Sequence, residues 1–134
     1  MVFENDERRI CIVSVLLITF ALLAGCISKE VKLGVSDNGS QIKLNTGQML
    51  FITLEANPTT GYTWEVEEPN ISVMRQAGDI EFQPESSALG AGGVQTLRFE
   101  TVNAGQTPLK LVYHRPWEKD VEPLKTFYVQ VIVS

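Results

Sequence analysis

Few side chains in this sequence could carry out acid–base or nucleophilic chemistry. There is one histidine, His114, and the only cysteines, Cys11 and Cys26, lie in an apolar amino-terminal stretch. A thiolate nucleophile or a cysteine–histidine zinc site therefore has no ligands in the rest of the chain. No serine and carboxylate are spaced to complete a triad with His114, and a lone histidine at a strand end is typically a surface residue or a hydrogen-bond donor. We expect neither an enzyme nor a protein that binds a metal or cofactor.

Recognition by a rigid turn is indicated instead at residues 57–62, Asn-Pro-Thr-Thr-Gly-Tyr. The Asn57 side chain can hydrogen-bond to nearby backbone, Pro58 fixes its own φ, and Gly61 can take a positive φ. These properties predict a stiff turn with two small hydroxyl residues at its tip.

A second unusual segment is the run Gly90-Ala91-Gly92-Gly93. It lacks the lysine, the following helix and the basic surroundings of a phosphate-binding loop. The alternative is the flexible end of a hairpin. The run is therefore a weak candidate for a nucleotide site.

The third segment is Arg115-Pro116-Trp117, in a loop rich in charged residues. An exposed tryptophan on a proline-stiffened loop has the character of a binding anchor, because Trp and Arg dominate interface hot spots. The competing interpretation is a ring folded back over the end of the domain.

The elements that must position these segments are strands. After residue 40, apolar residues alternate with polar ones in short runs separated by turns at roughly ten-residue spacing. The predicted strands are 41–45, 49–56, 62–66, 71–74, 94–102, 109–114 and 126–133, with a further short strand at 31–35, and the long loops are 79–93 and 114–123. This pattern predicts an all-β fold, an immunoglobulin-like antiparallel β-sandwich of about seven strands. In such a sandwich the three unusual segments can gather at one end.

The amino terminus has the features of an export signal. Residues 10–27 are almost unbroken apolar, follow Arg8 and Arg9, and include the run Leu-Ala-Gly-Cys that closes at Cys26. This ending resembles a prokaryotic lipobox, whose cysteine becomes the acylated first residue of the mature chain. The run is also long enough to remain as an uncleaved spanning helix, so two kinds of anchorage stay open. Both place the remainder outside the cytoplasm, and we expect a lipid anchor on the extracytoplasmic face of the cell membrane.

The domain limits follow from this signal. We expect a signal peptide at residues 1–25, the anchored cysteine and a tether at 26–40, and one folded domain at 41–134. Removal of the first 25 of the 134 residues leaves 109, enough for a single core. These carry nine basic and thirteen acidic residues, a net charge of −4, which argues against a nucleic-acid partner.

Taken together, the three segments are similar to the signatures of the chagasin family of cysteine-peptidase inhibitors. The matches are Asn57-Pro58-Thr59-Thr60-Gly61-Tyr62, Gly90-Ala91-Gly92-Gly93 and Arg115-Pro116-Trp117, in the family's order and each between predicted strands. The resemblance covers the chain from about residue 30 to its end. Tyr62 stands where the family often has phenylalanine.

This resemblance implies a tight, reversible, non-covalent inhibitor of papain-like cysteine peptidases, acting as a monomer. In the family, the first loop blocks the catalytic cysteine and histidine of the enzyme, the glycine-rich loop lies along the non-primed side of the cleft, and the tryptophan of the third loop stacks on an aromatic ring on the primed side. The residues that the resemblance assigns to peptidase binding are Asn57, Pro58, Thr59, Thr60, Gly61, Tyr62, Leu89, Gly90, Ala91, Gly92, Gly93, Arg115, Pro116 and Trp117. The alternative hypothesis is an anchored immunoglobulin-like adhesion or ligand-binding module that uses the same loops.

Overall fold

The structure, a computed structural model, describes residues 30–67 and 70–134. Within these ranges the chain forms nine strands and two short 3-10 turns. The strands are β1 (Glu30–Leu33), β2 (Gln41–Leu44), β3 (Met49–Ala56), β4 (Thr63–Glu67), β5 (Met74–Gln76), β6 (Glu81–Pro84), β7 (Gly93–Thr101), β8 (Gly105–His114) and β9 (Lys125–Val133), and the 3-10 turns are Val35–Asp37 and Pro58–Thr60. The predicted signal segment and Cys26 lie outside the described residues.

The strands form two sheets that pack face to face, so the predicted all-β sandwich is confirmed. One sheet has the order β1-β3-β7-β5, with β6 also paired to β7, and the other has the order β2-β9-β8-β4. The structure adds two features to the predicted antiparallel sandwich of about seven strands. Nine strands are present among the described residues, and β1 pairs with β3 and β2 with β9 in parallel. An alternating pattern shows which face of a strand is buried, but not the direction of its neighbour.

The core lies between the sheets and follows the alternation of the longest strands. In β3 the residues Leu50, Ile52 and Leu54 are buried, and in β7 the buried apolar residues are Leu97 and Phe99. β8 and β9 contribute Leu109, Leu111, Phe127, Val129 and Val131 from the opposite sheet. Because side chains of a strand point alternately to its two faces, each of these strands turns one apolar face inward.

Three predicted segments differ from the structure. The predicted loop 79–93 contains β6, which pairs with β7 because Gly93 lets the two backbones approach; a Cβ there would collide with the Gln83 carbonyl. Residues 71–73 form a turn before β5, in which the Val73 and Met74 amides both donate to the Asn70 carbonyl. The predicted first strand at 31–35 lies at Glu30–Leu33, since the chain turns at Val35–Asp37.

The connections after β3, before β7, before β4 and after β8 lie at the same end of the sandwich. Ala56, the last residue of β3, pairs with Gly93, the first residue of β7. Thr63, which begins β4, pairs with His114, which ends β8. Within residues 30–67 and 70–134, no helix has the length and apolar character needed to cross a bilayer.

Candidate functional site

Loop 1, residues 57–62, is a closed turn between β3 and β4. The Thr60 amide donates to the Asn57 carbonyl at 3.1 Å, the Gly61 amide donates to the Pro58 carbonyl at 3.0 Å, and the Thr60 hydroxyl donates to the Asn57 carbonyl at 2.6 Å. Gly61 has φ +86°, in the left-handed region that a residue with a Cβ enters only at a cost. The predicted stiff turn is therefore present, and Thr59 and Thr60 are exposed at its tip.

Loop 2, residues 85–92, joins β6 to β7. The Glu85 amide donates to the Gly92 carbonyl at 3.0 Å, which closes the base of the loop. Leu89 is fully exposed at the tip, with a relative exposure of 104%. The predicted long loop at 79–93 is thus confined to these residues, because Glu81–Pro84 form β6 and Gly93 is buried within β7.

Loop 3, residues 115–124, joins β8 to β9. The Glu118 amide donates to the Arg115 carbonyl at 3.0 Å, and the Arg115 guanidinium forms an ion pair with the Glu118 carboxylate at 3.0 Å. The Trp117 side chain is 67% exposed. Of the two sequence interpretations, the exposed ring is the one that the structure contains.

Loop 1 contacts both of the other loops. The Asn57 side-chain amide donates to the Gly90 carbonyl of loop 2 at 3.2 Å, and Arg115 Nε of loop 3 donates to the Thr60 carbonyl at 3.1 Å. The Trp117 ring lies directly over Gly61, where a Cβ would collide with it. The sequence-predicted residues are thus brought to one end of the sandwich, as expected, with loop 1 in the middle.

Arg115 is more than a surface charge. Its guanidinium carbon lies 4.6 Å from the centroid of the Tyr62 ring, a cation–π distance, while the same group binds the Thr60 carbonyl and Glu118. One side chain therefore holds loop 3 against the second half of loop 1.

Sequence reasoning missed the residues beneath the loops. The Tyr113 hydroxyl accepts a hydrogen bond from the Asn57 amide at 2.8 Å, and Trp64 Nε1 donates to the Glu55 carbonyl at 3.0 Å. Both aromatic residues are buried and carry no motif of their own. The one available signal was their position: each is an aromatic residue that carries a polar atom and lies within two residues of a recognised motif.

The charged groups near the loops form ordinary pairs. His114 Nε2 lies 2.9 Å from a Glu65 carboxylate oxygen, and the Glu67 carboxylate binds Lys110 at 3.0 Å. In the part of the chain that the structure describes, no three histidine, cysteine or acidic residues are grouped so that they could hold a metal ion.

The family of the chain follows from comparison with known proteins. The model of the chagasin family peptidase inhibitors of type I42 matches residues 43–131. The chain belongs to this family. This confirms the resemblance drawn from the three signatures, and a family of peptidase inhibitors is not one of enzymes.

Two named relatives are similar in sequence to this chagasin-family chain. Amoebiasin-2 of Entamoeba histolytica is 29% identical over 120 residues, which cover 87% of this chain and 96% of the relative. Chagasin of Trypanosoma cruzi is 34% identical over 91 residues, covering 64% of this chain and 82% of the relative.

Solved structures of the family have the same fold. The crystal structure of the cysteine protease inhibitor EhICP2 from Entamoeba histolytica is similar with a TM-score of 0.69 and 26% identity, covering 78% of this chain and 96% of that one. A structure of PbICP-C in complex with falcipain-2 shares the fold at 18% identity, with a TM-score of 0.53, covering 80% of this chain and 100% of that one.

Family membership favours an inhibitor over the alternative of an adhesion module.

Proposed function

We propose that this chagasin-family inhibitor blocks papain-like cysteine peptidases by inserting the loop-bearing end of its sandwich into the active-site cleft. The observation that carries the proposal is that loop 1 contacts both other loops at one end, with a closed, small-residue turn in the centre and an exposed indole beside it. A narrow cleft that leads to a thiol admits a narrow, stiff probe, and stiffness lowers the ordering cost of binding.

Each loop has a distinct role in this proposal. The tip of loop 1, with Thr59, Thr60 and Gly61, covers the catalytic cysteine and histidine of the peptidase. Loop 2 lies along the non-primed side and offers Leu89 and backbone groups. Trp117 of loop 3 stacks on an aromatic ring on the primed side. Three such contacts can together reach the roughly 800 Å² per partner of an ordinary stable interface.

The hydrogen bonds of loop 1 explain why this turn would block the cleft without being cleaved. The carbonyls of Asn57, Pro58 and Thr60 all accept hydrogen bonds from within the domain. A carbonyl held in this way is not free to move toward the peptidase thiolate or into its oxyanion hole. Non-covalent, reversible inhibition, which the family resemblance implies, agrees with these held carbonyls.

We further propose that the protein acts as a monomer anchored outside the cytoplasm through an acylated Cys26. The Leu-Ala-Gly-Cys ending of the apolar run supports this, and an uncleaved helix is the alternative anchor. Mass spectrometry of the protein from purified membranes separates the two, since a chain that begins at a diacylated Cys26 differs in mass from the full-length chain.

The experiment that tests the inhibitor function is a titration of papain with the purified protein. We expect a stoichiometric loss of peptidase activity at sub-micromolar concentration, full recovery on dilution, and an intact inhibitor on a denaturing gel. Unchanged papain activity at micromolar concentration contradicts the proposal for this class of peptidase.

A further inference from the structure

Tyr113 of β8 lies beneath the loops and contacts both aromatic and polar groups there. Its ring is stacked against Tyr62, with centroids 5.4 Å apart, and is tilted against Trp64 at 5.1 Å. Arg115 covers Tyr62 at 4.6 Å, so a guanidinium and three aromatic rings follow one another from loop 3 into the core. Aromatic and cation–π pairs of this kind stabilise contacts beyond the area that they bury.

Polar atoms of this stack reach across from one sheet to the other. Tyr113 and Trp64 belong to the sheet β2-β9-β8-β4, whereas Glu55 and Asn57 belong to β3 and the loop that follows it in the opposite sheet. The Tyr113 hydroxyl accepts from the Asn57 amide at 2.8 Å, and Trp64 Nε1 donates to the Glu55 carbonyl at 3.0 Å. The exit of β3 is therefore held at two backbone atoms, two residues apart, immediately before loop 1 begins.

Asn57 is the residue through which this hold reaches the other loops. Its carbonyl accepts the Thr60 amide and hydroxyl, and its side chain donates to Gly90 of loop 2. A change in φ or ψ at Asn57 would move its amide, carbonyl and side chain relative to one another and so disturb these bonds together.

We infer that Tyr113 is a positioning residue for peptidase binding, whose hydroxyl fixes the Asn57 backbone and thereby orients loop 1 relative to loops 2 and 3. This rests on the proposed function. Tyr113 is only 5% exposed, so a peptidase bound to the loops does not touch it and its effect on affinity acts through Asn57. A turn that is oriented in advance binds with a smaller ordering cost, and loss of the orientation lowers the fraction of molecules ready to bind.

The test is the substitution Tyr113→Phe, which removes one oxygen and keeps the ring stack. The matched control is Tyr128→Phe on β9, whose hydroxyl donates to the Gln130 side chain at 2.9 Å and makes no contact with the loops. The measurements are the inhibition constant for papain, the unfolding temperature, and hydrogen exchange of the Asn57 amide by NMR.

We expect Tyr113→Phe to weaken inhibition about tenfold, the ratio that corresponds to one hydrogen bond of ordinary strength, and to accelerate exchange of the Asn57 amide. Tyr128→Phe leaves both values at those of the wild type. An unchanged inhibition constant for Tyr113→Phe overturns the inference, even where its unfolding temperature falls, because a purely structural tyrosine has that result.

Two further outcomes keep the inference separate from the proposed function. If Tyr113→Phe does not fold, hydrogen exchange of the wild-type protein tests the inference. An Asn57 amide that exchanges as fast as the exposed loop amides overturns it. A wild-type protein that leaves papain active contradicts the proposed function instead, while Asn57 protection that depends on Tyr113 would still support the positioning of loop 1.

Discussion

At the scale of single residues, Trp117 and Gly61 illustrate how one exposed ring and one missing side chain cooperate. The Trp117 ring is 67% exposed, yet one part of it rests on the Gly61 backbone, which has room for it only because no Cβ is present. The ring is thereby held at the edge of loop 1 with most of its surface free to contact a partner.

We predict that Trp117→Ala weakens papain binding by about 2 kcal/mol, as truncation of an interface hot spot does, while the unfolding temperature hardly changes. The unfolding temperature hardly changes because the exposed Trp117 ring buries little surface within the domain. Inhibition constants and thermal unfolding measure the two effects. Ile71→Ala is the matched control, because Ile71 is 72% exposed at the opposite end of the sandwich. Equal affinity of Trp117→Ala and the wild type for papain would show that the ring is not part of the binding surface.

Gly47 is a matched control for substitutions at Gly61, because the two glycines share a backbone conformation but not a neighbouring side chain. Both have a φ near +87°, with +86° at Gly61 and +88° at Gly47, but a Cβ meets the Trp117 ring at Gly61 and nothing within 4 Å at Gly47. We predict that Gly61→Ala and Gly47→Ala each lose about 1 kcal/mol of unfolding free energy from the left-handed backbone. In Gly61→Ala the new Cβ also displaces the Trp117 ring, which costs little stability but changes the binding surface. Only Gly61→Ala weakens inhibition. Denaturant unfolding and papain titration measure the two effects, and equal inhibition by both variants would contradict this account.

At the scale of elements, the loops depend on one another more than their separation in the sequence indicates. Loop 1 lies between loops 2 and 3. Asn57 binds it to loop 2, and Arg115 binds it to loop 3. β6 and the buried Gly93 bring loop 2 to this end, because β6 pairs with the start of β7. The loops are therefore parts of one binding edge rather than three independent probes.

The prediction at this scale concerns Arg115→Lys. A lysine ammonium has no planar fork that could bind the Thr60 carbonyl and Glu118 together while lying over Tyr62, so loop 3 separates from loop 1. We expect about tenfold weaker inhibition of papain, since a charge-assisted hydrogen bond is among the stronger ones. Arg75→Lys is the control, because Arg75 on β5 forms a similar pair with Glu100 on β7, far from the loops. The Arg75 side chain is 62% exposed. Equal effects of the two substitutions would show that Arg115 does not connect the loops.

At the scale of the whole molecule, the amino terminus of the described chain and the loops lie at opposite ends. β1 begins at Glu30, which pairs with Met49 at the start of β3, whereas loop 1 follows the end of β3 at Ala56. The eight residues of β3 span roughly 26 Å, at about 3.3 Å per residue. The anchorage proposed at Cys26 would therefore leave the binding edge facing away from the membrane.

We predict that the anchored protein inhibits a soluble peptidase as well as the free domain does. The measurement compares papain inhibition by acylated protein in lipid vesicles with inhibition by residues 30–134 at equal concentration of accessible sites. A chain anchored instead through a cysteine introduced at Leu89, in loop 2, is the control and should inhibit poorly. Loss of inhibition on anchoring at Cys26 would contradict this orientation.

The sequence by itself determined the all-β class, because the alternation of apolar residues in β3, β7, β8 and β9 allows only one buried face per strand. It also determined the stiff turn of loop 1, since Pro58 and Gly61 restrict the backbone locally, and it located the three signature segments. The tertiary structure alone decided the parallel pairing of β1 with β3 and of β2 with β9, the strand β6 inside a predicted loop, and the contacts of Asn57, Tyr113 and Arg115 between segments. Those features depend on which distant backbone groups come within hydrogen-bond reach, and a periodic pattern along one chain holds no information about its partners across space.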